Sequence, residues 1–330
     1  MRHCLVTGGA GFIGSHLVEH LVKGGWNVRV LDNLSTGKAN NLKSLSRRID
    51  FIQGNINDPS VLRPATAGCE VVFHLAALPS VARSLVDPMT THEVCATGTL
   101  SVLDAARQMG VRRVVYAASS SAYGGTPGSL RVETDPIAPL SPYASSKLSG
   151  ELYCQSFTTV FGLETVRLRF FNVFGPRQDA RSPYTGVIAL FIAGMLAGKR
   201  PSVQGDGLQS RDFTYVENAV QAVVRAADAP NAVGKVYNIG NGETTTVLQL
   251  VKHLNRILDT DLTPIHGPAR AGDVRHSQAD ITLACEDLGY KPKVTFVEGL
   301  RRTVAALRAL EWAPDGDSTP RRKVRAQLAK

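Results

Sequence analysis

Leu5-Val6-Thr7-Gly8-Gly9-Ala10-Gly11-Phe12-Ile13-Gly14 decides the fold of this 330-residue chain. His3-Cys4-Leu5-Val6 reads as a short buried strand. From Gly14 to Lys23 the apolar residues Leu17, Val18, Leu21 and Val22 share one helical face. Between the two, Gly8, Gly11 and Gly14 permit a tight turn, close backbone approach to a pyrophosphate, and close packing of helix on strand. The start of the helix then offers free N–H groups and a favourable dipole to phosphate. A glycine triplet alone is weak evidence. Here Asp32 ends the next strand, Val28-Arg29-Val30-Leu31, where its carboxylate is placed to accept from a ribose diol. That carboxylate would repel a 2′-phosphate, so the expected cofactor is NAD rather than NADP.

Outward from this unit, strand-like segments recur at Phe51-Ile52, Val71–His74, Val114–Ala117 and Val166–Phe170, with helical stretches at Thr90–Gln108 and Tyr143–Phe161 between them. Alternation of this kind predicts an α/β fold, a doubly wound Rossmann-type parallel sheet covered by helices. After Gly175-Pro176 the rhythm breaks into loop chemistry and a short helix ending at Leu196. Val236–Ile239 then reads as one more strand of the main sheet. Two interleaved units are expected: residues 1–172 and 213–239 for the dinucleotide, 173–212 and 240–312 as a smaller α/β unit for a substrate. Residues 313–330 form a basic tail that is expected to be disordered.

Composition narrows the function classes. With 43% hydrophobic and 20% charged residues the chain is too apolar for disorder. It holds no apolar run near the roughly 18–20 residues of a membrane span. The formal charge is +9, of which the last 18 residues supply +3, and no basic stripe interleaved with aromatics is present. A nucleic-acid partner is therefore not expected, and an anionic small-molecule substrate accounts for the excess charge. Five scattered cysteines without a CxxC pair argue against a disulfide framework and a cysteine metal site. His3, His74 and His276 lack ligand spacing, so no metal is expected. With no signal-like N-terminus, the expected compartment is the reducing cytoplasm.

Tyr143-Ala144-Ser145-Ser146-Lys147 opens a predicted helix, and its i,i+4 spacing puts phenol and ammonium on one face. A nearby ammonium and an oxidised nicotinamide would lower the tyrosine from its ordinary pKa of about 10, making Tyr143 a general base for a sugar or alcohol hydroxyl. Ser119, Ser120 and Ser121 follow the strand at Val114–Ala118, at the carboxyl edge where open α/β sheets bind ligands.

These motifs, with Asp32-Asn33-Leu34-Ser35, His74-Leu75-Ala76-Ala77, Arg167–Gly175, Ser210-Arg211-Asp212-Phe213 and Arg270-Ala271-Gly272-Asp273, resemble the extended short-chain dehydrogenase/reductase family and, within it, its nucleotide-sugar 4-epimerases. The resemblance runs to about Leu310. It implies that Tyr143, with Lys147, takes the proton from a sugar 4-hydroxyl while hydride passes to NAD. The 4-keto sugar then turns over and hydride returns to its other face. Ser119, four residues before the tyrosine of Tyr123-Gly124, is implied as the hydrogen-bonding partner of the 4-oxygen. Cofactor contacts are implied for Gly8, Gly11, Phe12, Ile13, Gly14, Asp32, Asn33, Ser35, Thr36, Gly37, Asn55, Ile56, Leu75, Ala76, Ala77 and Phe170 as well as Tyr143 and Lys147. Substrate contacts are implied for Ser120, Ser121, Asn172, Val187, Val203, Arg211, Arg270, Asp273 and Ser277, the two arginines for the diphosphate. The family also implies a homodimer through the Thr90–Gln108 and Tyr143–Phe161 helices.

Relatives that dehydrate nucleotide sugars carry Asp-Glu where this chain has Ser120-Ser121, and hydroxyls cannot supply a carboxylate acid–base pair. Oxidation to an acid would need a cysteine nucleophile, and none sits in a suitable motif. Ser277 stands where glucose-restricted epimerases carry tyrosine. The smaller side chain leaves room for an N-acetyl group at carbon 2, which favours UDP-N-acetylglucosamine/UDP-N-acetylgalactosamine, with UDP-glucose/UDP-galactose as the further pair. Three departures stand out: Asn55 replaces an Asp, Pro79 a Lys, and Cys95 an Asn near the cofactor. Two other readings stay open. A UDP-uronic acid substrate would call for a cation such as Arg83 or Arg181, and a non-enzymatic NAD sensor would not need the Tyr–Lys pair.

Overall fold

A computed structural model describes residues 2–180, 182, 185–269 and 274–312. Along the chain, β1 (His3–Thr7) runs into α1 (Phe12–Lys23), and β2 (Asn27–Asp32) is followed by β3 (Ile49–Gln53). Next come α2 (Pro59–Thr66), β4 (Val71–His74), α3 (Val81–Val86), α4 (Pro88–His92), a π-helical turn over Glu93–Thr97, α5 (Gly98–Gln108) and β5 (Arg113–Ser119). The short β6 (Leu130–Arg131) precedes α6 (Pro142–Phe161), β7 (Glu164–Phe170), β8 (Val173–Phe174) and α7 (Val187–Leu196). Then follow β9 (Ser202–Gln204), β10 (Ser210–Arg211), β11 (Thr214–Tyr215), α8 (Val216–Ala226) and β12 (Val236–Ile239). The described chain ends with β13 (Thr245–Thr246), α9 (Val247–Leu258), β14 (Ile265–Gly267), β15 (His276–Ala279), α10 (Thr282–Leu288) and α11 (Phe296–Trp312).

Seven strands form one parallel sheet in the order β12-β7-β5-β4-β1-β2-β3. The order reverses between β1 and β4, and the crevice beyond their carboxyl ends is where such sheets take ligands. Both faces are covered: α1 and α8 pack on one through Leu17, Leu21, Val220 and Val223, while α2, α5 and α6 pack on the other through Leu62, Val102 and Phe157. Three small sheets complete the described chain, β13-β10-β15-β6 the largest of them, and its edge strand β6 comes from before β7.

Local chemistry explains the helix that matters most. Ser141 caps α6 by accepting from Ala144 N, Pro142 occupies its first turn, and Gly162 ends it at φ +70°. Tyr143 is thereby fixed in the first turn, beside the end of β5. The predicted helix at Thr90–Gln108 is broken by the π-helical turn, an irregularity that marks functional sites more often than others.

Candidate active site

Gly8 has φ +70°, and a Cβ on it would lie 2.7 Å from Ala76 N. Only glycine lets the β1–α1 turn lie this close to Leu75-Ala76-Ala77 at the end of β4. Gly11 caps α1 with no side-chain hydrogen bond. The N–H groups of Phe12 and Ile13 in the first helical turn are thus left to an anion. Asp32 Oδ2 accepts from Ala10 N at 2.9 Å and Oδ1 from Leu34 N at 2.8 Å, so one carboxylate ties the glycine turn to the Asn33–Gly37 loop. Each oxygen keeps a lone pair for a ribose hydroxyl. Asn55 is exposed beside the buried Ile56, its Oδ1 accepting from Asn57 N at 3.0 Å.

Across the crevice, Ser119 ends β5 in register with Phe170 on β7. Ser119 Oγ faces the phenol of Tyr143. It also accepts from Ser121 Oγ at 2.8 Å and Ser121 N at 3.2 Å. Lys147, one turn further along α6, is buried with Nζ 4.4 Å from the centroid of the Tyr116 ring. Burial raises Tyr143 well above its ordinary range, Cys95 adds to this, and the hydrogen bond with Ser119 offsets part of it. Burial lowers Lys147, with Cys95, Cys154 and Glu151 opposing. The expected lowering of the phenol joins this ammonium with an oxidised nicotinamide. Among the chain's own groups burial is the largest influence on the phenol.

On the substrate side, parallel pairing of β10 with β15 puts Arg211 directly opposite Ser277. Side chains in register on neighbouring strands share a face, so the diphosphate candidate and the small residue flank the same space. Arg211 Nη1 donates to the Ser210 and Arg275 carbonyls at 2.9 and 3.2 Å, which holds the guanidinium at that edge. Asn172 has φ +32°, and its Nδ2 donates to Asp212 O at 3.0 Å. Val187 opens α7 half-buried, whereas the Val203 side chain is 1% exposed within the core, so contact with a ligand there would fall to its backbone. Arg181, Arg270 and Asp273 lie outside the described residues.

Comparison with known proteins matches residues 4–240 to the NAD dependent epimerase/dehydratase family. The chain belongs to that family. It is 39% identical over 308 residues to a UDP-glucose 4-epimerase of Mycolicibacterium smegmatis, covering 92% of this chain and 98% of the relative. The crystal structure of a Thermotoga maritima UDP-glucose 4-epimerase with UDP-glucose superposes with a TM-score of 0.89 at 40% identity, over 94% of this chain and all of the other. A Methanobrevibacter ruminantium UDP-N-acetylglucosamine 4-epimerase in complex with UDP-N-acetylmuramic acid gives 0.89 at 37% identity, covering 94% of this chain and 99% of that one. The chain is thus an NAD-dependent epimerase. The close approach at Gly8, the uncapped start of α1 and the strand-end Asp32 form a cradle that fits NAD.

Around the cradle the epimerase carries a buried network that no local motif announced. Thr99 Oγ1 donates to Cys95 O at 2.7 Å and therefore accepts from His74 Nε2 at 3.0 Å. His74 Nδ1 then accepts from Thr7 Oγ1 at 2.8 Å, and Thr7 Oγ1 itself accepts from Ala76 N at 3.3 Å. Every proton in this string has one direction. Burial, aided by the charge on Lys147, holds the imidazole neutral with its pKa down to about 3. The ring stacks on Tyr116, whose hydroxyl donates to Lys147 O at 3.1 Å. Gly150 leaves α6 room for that hydroxyl, against which any Cβ would collide. The π-helical turn places Cys95 beside both Tyr143 and Lys147, where its Sγ accepts from Leu78 N at 3.4 Å. Among the described residues no cluster of His, Cys, Asp or Glu could hold a metal ion, and no helix is long and apolar enough to cross a membrane.

Proposed function

We propose that the chain inverts carbon 4 of a UDP-hexose, with UDP-N-acetylglucosamine/UDP-N-acetylgalactosamine as the preferred pair and UDP-glucose/UDP-galactose as the weaker one. The nicotinamide supplies a reversible hydride acceptor for carbon 4. Tyr143 as phenolate takes the 4-hydroxyl proton and returns it after the keto sugar has turned. Lys147 favours that phenolate through its charge, and Ser119 donates to the 4-oxygen as it becomes a carbonyl. Arg211 holds the diphosphate, the pivot about which the sugar turns. Ser120 and Ser121 offer no carboxylate, which disfavours elimination of water in place of re-reduction.

Preference for the N-acetylated pair rests on one observation, the register of Ser277 with Arg211. A residue beside the diphosphate anchor walls the sugar, and serine there leaves the volume that an acetamido group needs. Ser277→Tyr is expected to lower kcat/KM for UDP-N-acetylglucosamine roughly 5- to 150-fold, since overpacking costs about 1–3 kcal/mol. UDP-glucose should be affected far less. Proton NMR follows both substrates through the changed coupling at carbon 4, and an unchanged ratio of specificity constants would defeat the N-acetyl assignment.

A homodimer is part of the same proposal. Leu152, Val160 and Phe161 on α6 are 54%, 68% and 52% exposed, and Leu85, Val86 and Met89 near α4 add a further exposed apolar group. Exposed apolar side chains concentrated on neighbouring helices mark association sites. Sedimentation should show a dimer at micromolar concentration, shifted toward monomer by Val160→Glu. A wild-type chain that sediments only as monomer would reject it.

A further inference from the structure

The geometry points to Ser121 as a positioning residue that acts through Ser119 and does not itself touch substrate. This inference rests on the roles proposed for Tyr143 and Ser119.

A serine hydroxyl has two lone pairs and one hydrogen. Both lone pairs of Ser119 Oγ are engaged by the same neighbour, whose N–H lies at 3.2 Å and whose hydroxyl donates at 2.8 Å. Ser119 is also the N-cap of the 3₁₀ turn Ser120–Ala122, so the two bonds lock its rotamer. The only group left on Ser119 Oγ is its hydrogen, which points to the space shared with Tyr143.

For carbon-4 chemistry this polarity decides the proton's path. If Ser119 could accept, the sugar's 4-hydroxyl could donate to either Ser119 or Tyr143, and donation to Ser119 would be unproductive. With both lone pairs filled, Ser119 can only donate, and the 4-hydroxyl proton has Tyr143 as its acceptor. When that proton moves to the phenolate oxygen and the C4–H pair leaves as hydride, the C4=O double bond forms with the Ser119 hydrogen already aimed at its oxygen. Aligned donors of this kind need no reorganisation as the charge develops. On return to the alcohol the sequence runs backwards, and the same polarity serves either face of the turned sugar.

Four variants test the assignment: Ser121→Ala, Ser121→Thr, Ser119→Ala and the double Ser119→Ala/Ser121→Ala, beside Tyr143→Phe, with kcat and KM measured and folding checked by circular dichroism. Ser121→Ala removes the stronger of the two bonds, and its kcat is expected to fall roughly 3- to 10-fold, the worth of one hydrogen bond, with KM within twofold. Ser121→Thr, which keeps the hydroxyl, should restore most of the loss. The double variant should be no slower than Ser119→Ala alone, because a residue that acts only through its neighbour has nothing left to orient. Additive losses, or a loss confined to KM, would mean that Ser121 contacts the sugar directly, and would overturn the proposal. So would an unchanged Ser121→Ala beside an inactive Tyr143→Phe, which leaves the epimerase reading intact. An active Tyr143→Phe would overturn that reading and this inference together.

Discussion

Tyr143→Phe is expected to lower turnover roughly 10²–10⁴-fold, the usual contribution of a positioned acid–base group. NAD content and the folded state should stay near wild type. The ring remains, so packing in the first turn of α6 is kept, and the bond with Ser119 is lost. The size of the effect follows from the surroundings. Among the titratable groups at this end of the crevice, His74 is held neutral at a pKa of about 3 and is saturated by Thr7 and Thr99, so it cannot stand in as base. Lys147 carries no acceptor while charged. Comparing kcat of both proteins with saturating UDP-N-acetylglucosamine and UDP-glucose checks this, and retention of more than a third of wild-type turnover would remove Tyr143 from the mechanism.

Glu151→Ala should be the most destabilising single change near the site. Tyr143, Lys147 and Glu151 recur every four residues and so share one face of α6. Glu151 binds Arg169 on β7 through three contacts of 2.8–3.1 Å, with both side chains only 3% exposed. Arg169 also lies over the Tyr123 ring, 4.7 Å from its centroid. Removing one member leaves a buried charge without its partner, at a cost of about 3–5 kcal/mol. The midpoint of urea unfolding should fall with little change of slope. Glu151→Leu combined with Arg169→Met should recover most of the loss, since no charge is then stranded. A midpoint for Glu151→Ala equal to wild type would show that the pair contributes nothing to holding α6 on the sheet.

The glycine turn, Asp32 and the Tyr143–Lys147 pair were legible because each is a local pattern with its own period or spacing. The main-sheet strands were legible for the same reason, and every one anticipated at four residues or more is present in the sheet. Two-residue strands such as Leu130–Arg131, which pairs with Gln278 and Ala279, carry no period at all and went unseen. The string Thr7–His74–Thr99 joins positions separated by 67 and 25 residues, so no window of sequence contains it. His74 could be read only as one more core or surface histidine. Ser121 shows a subtler limit, for the residue was named but the direction of its hydroxyl exists only in three dimensions.

A ribosome that has released residues 1–172 has delivered six of the seven strands of the main sheet, with β7 as its bare edge. Val236–Ile239, which cover that edge, are still unmade, and at roughly 5–20 residues per second they follow only seconds later. The nascent sheet is exposed through that interval to pairing with another chain. β7 meets the hazard with its own composition: Arg167 lies along it, and a charge on an open edge discourages a foreign strand. Arg167 finds the carbonyls of Gly234 and Lys235 only once β12 has docked. The arginine that the finished protein buries there thus guards the chain while it is being made.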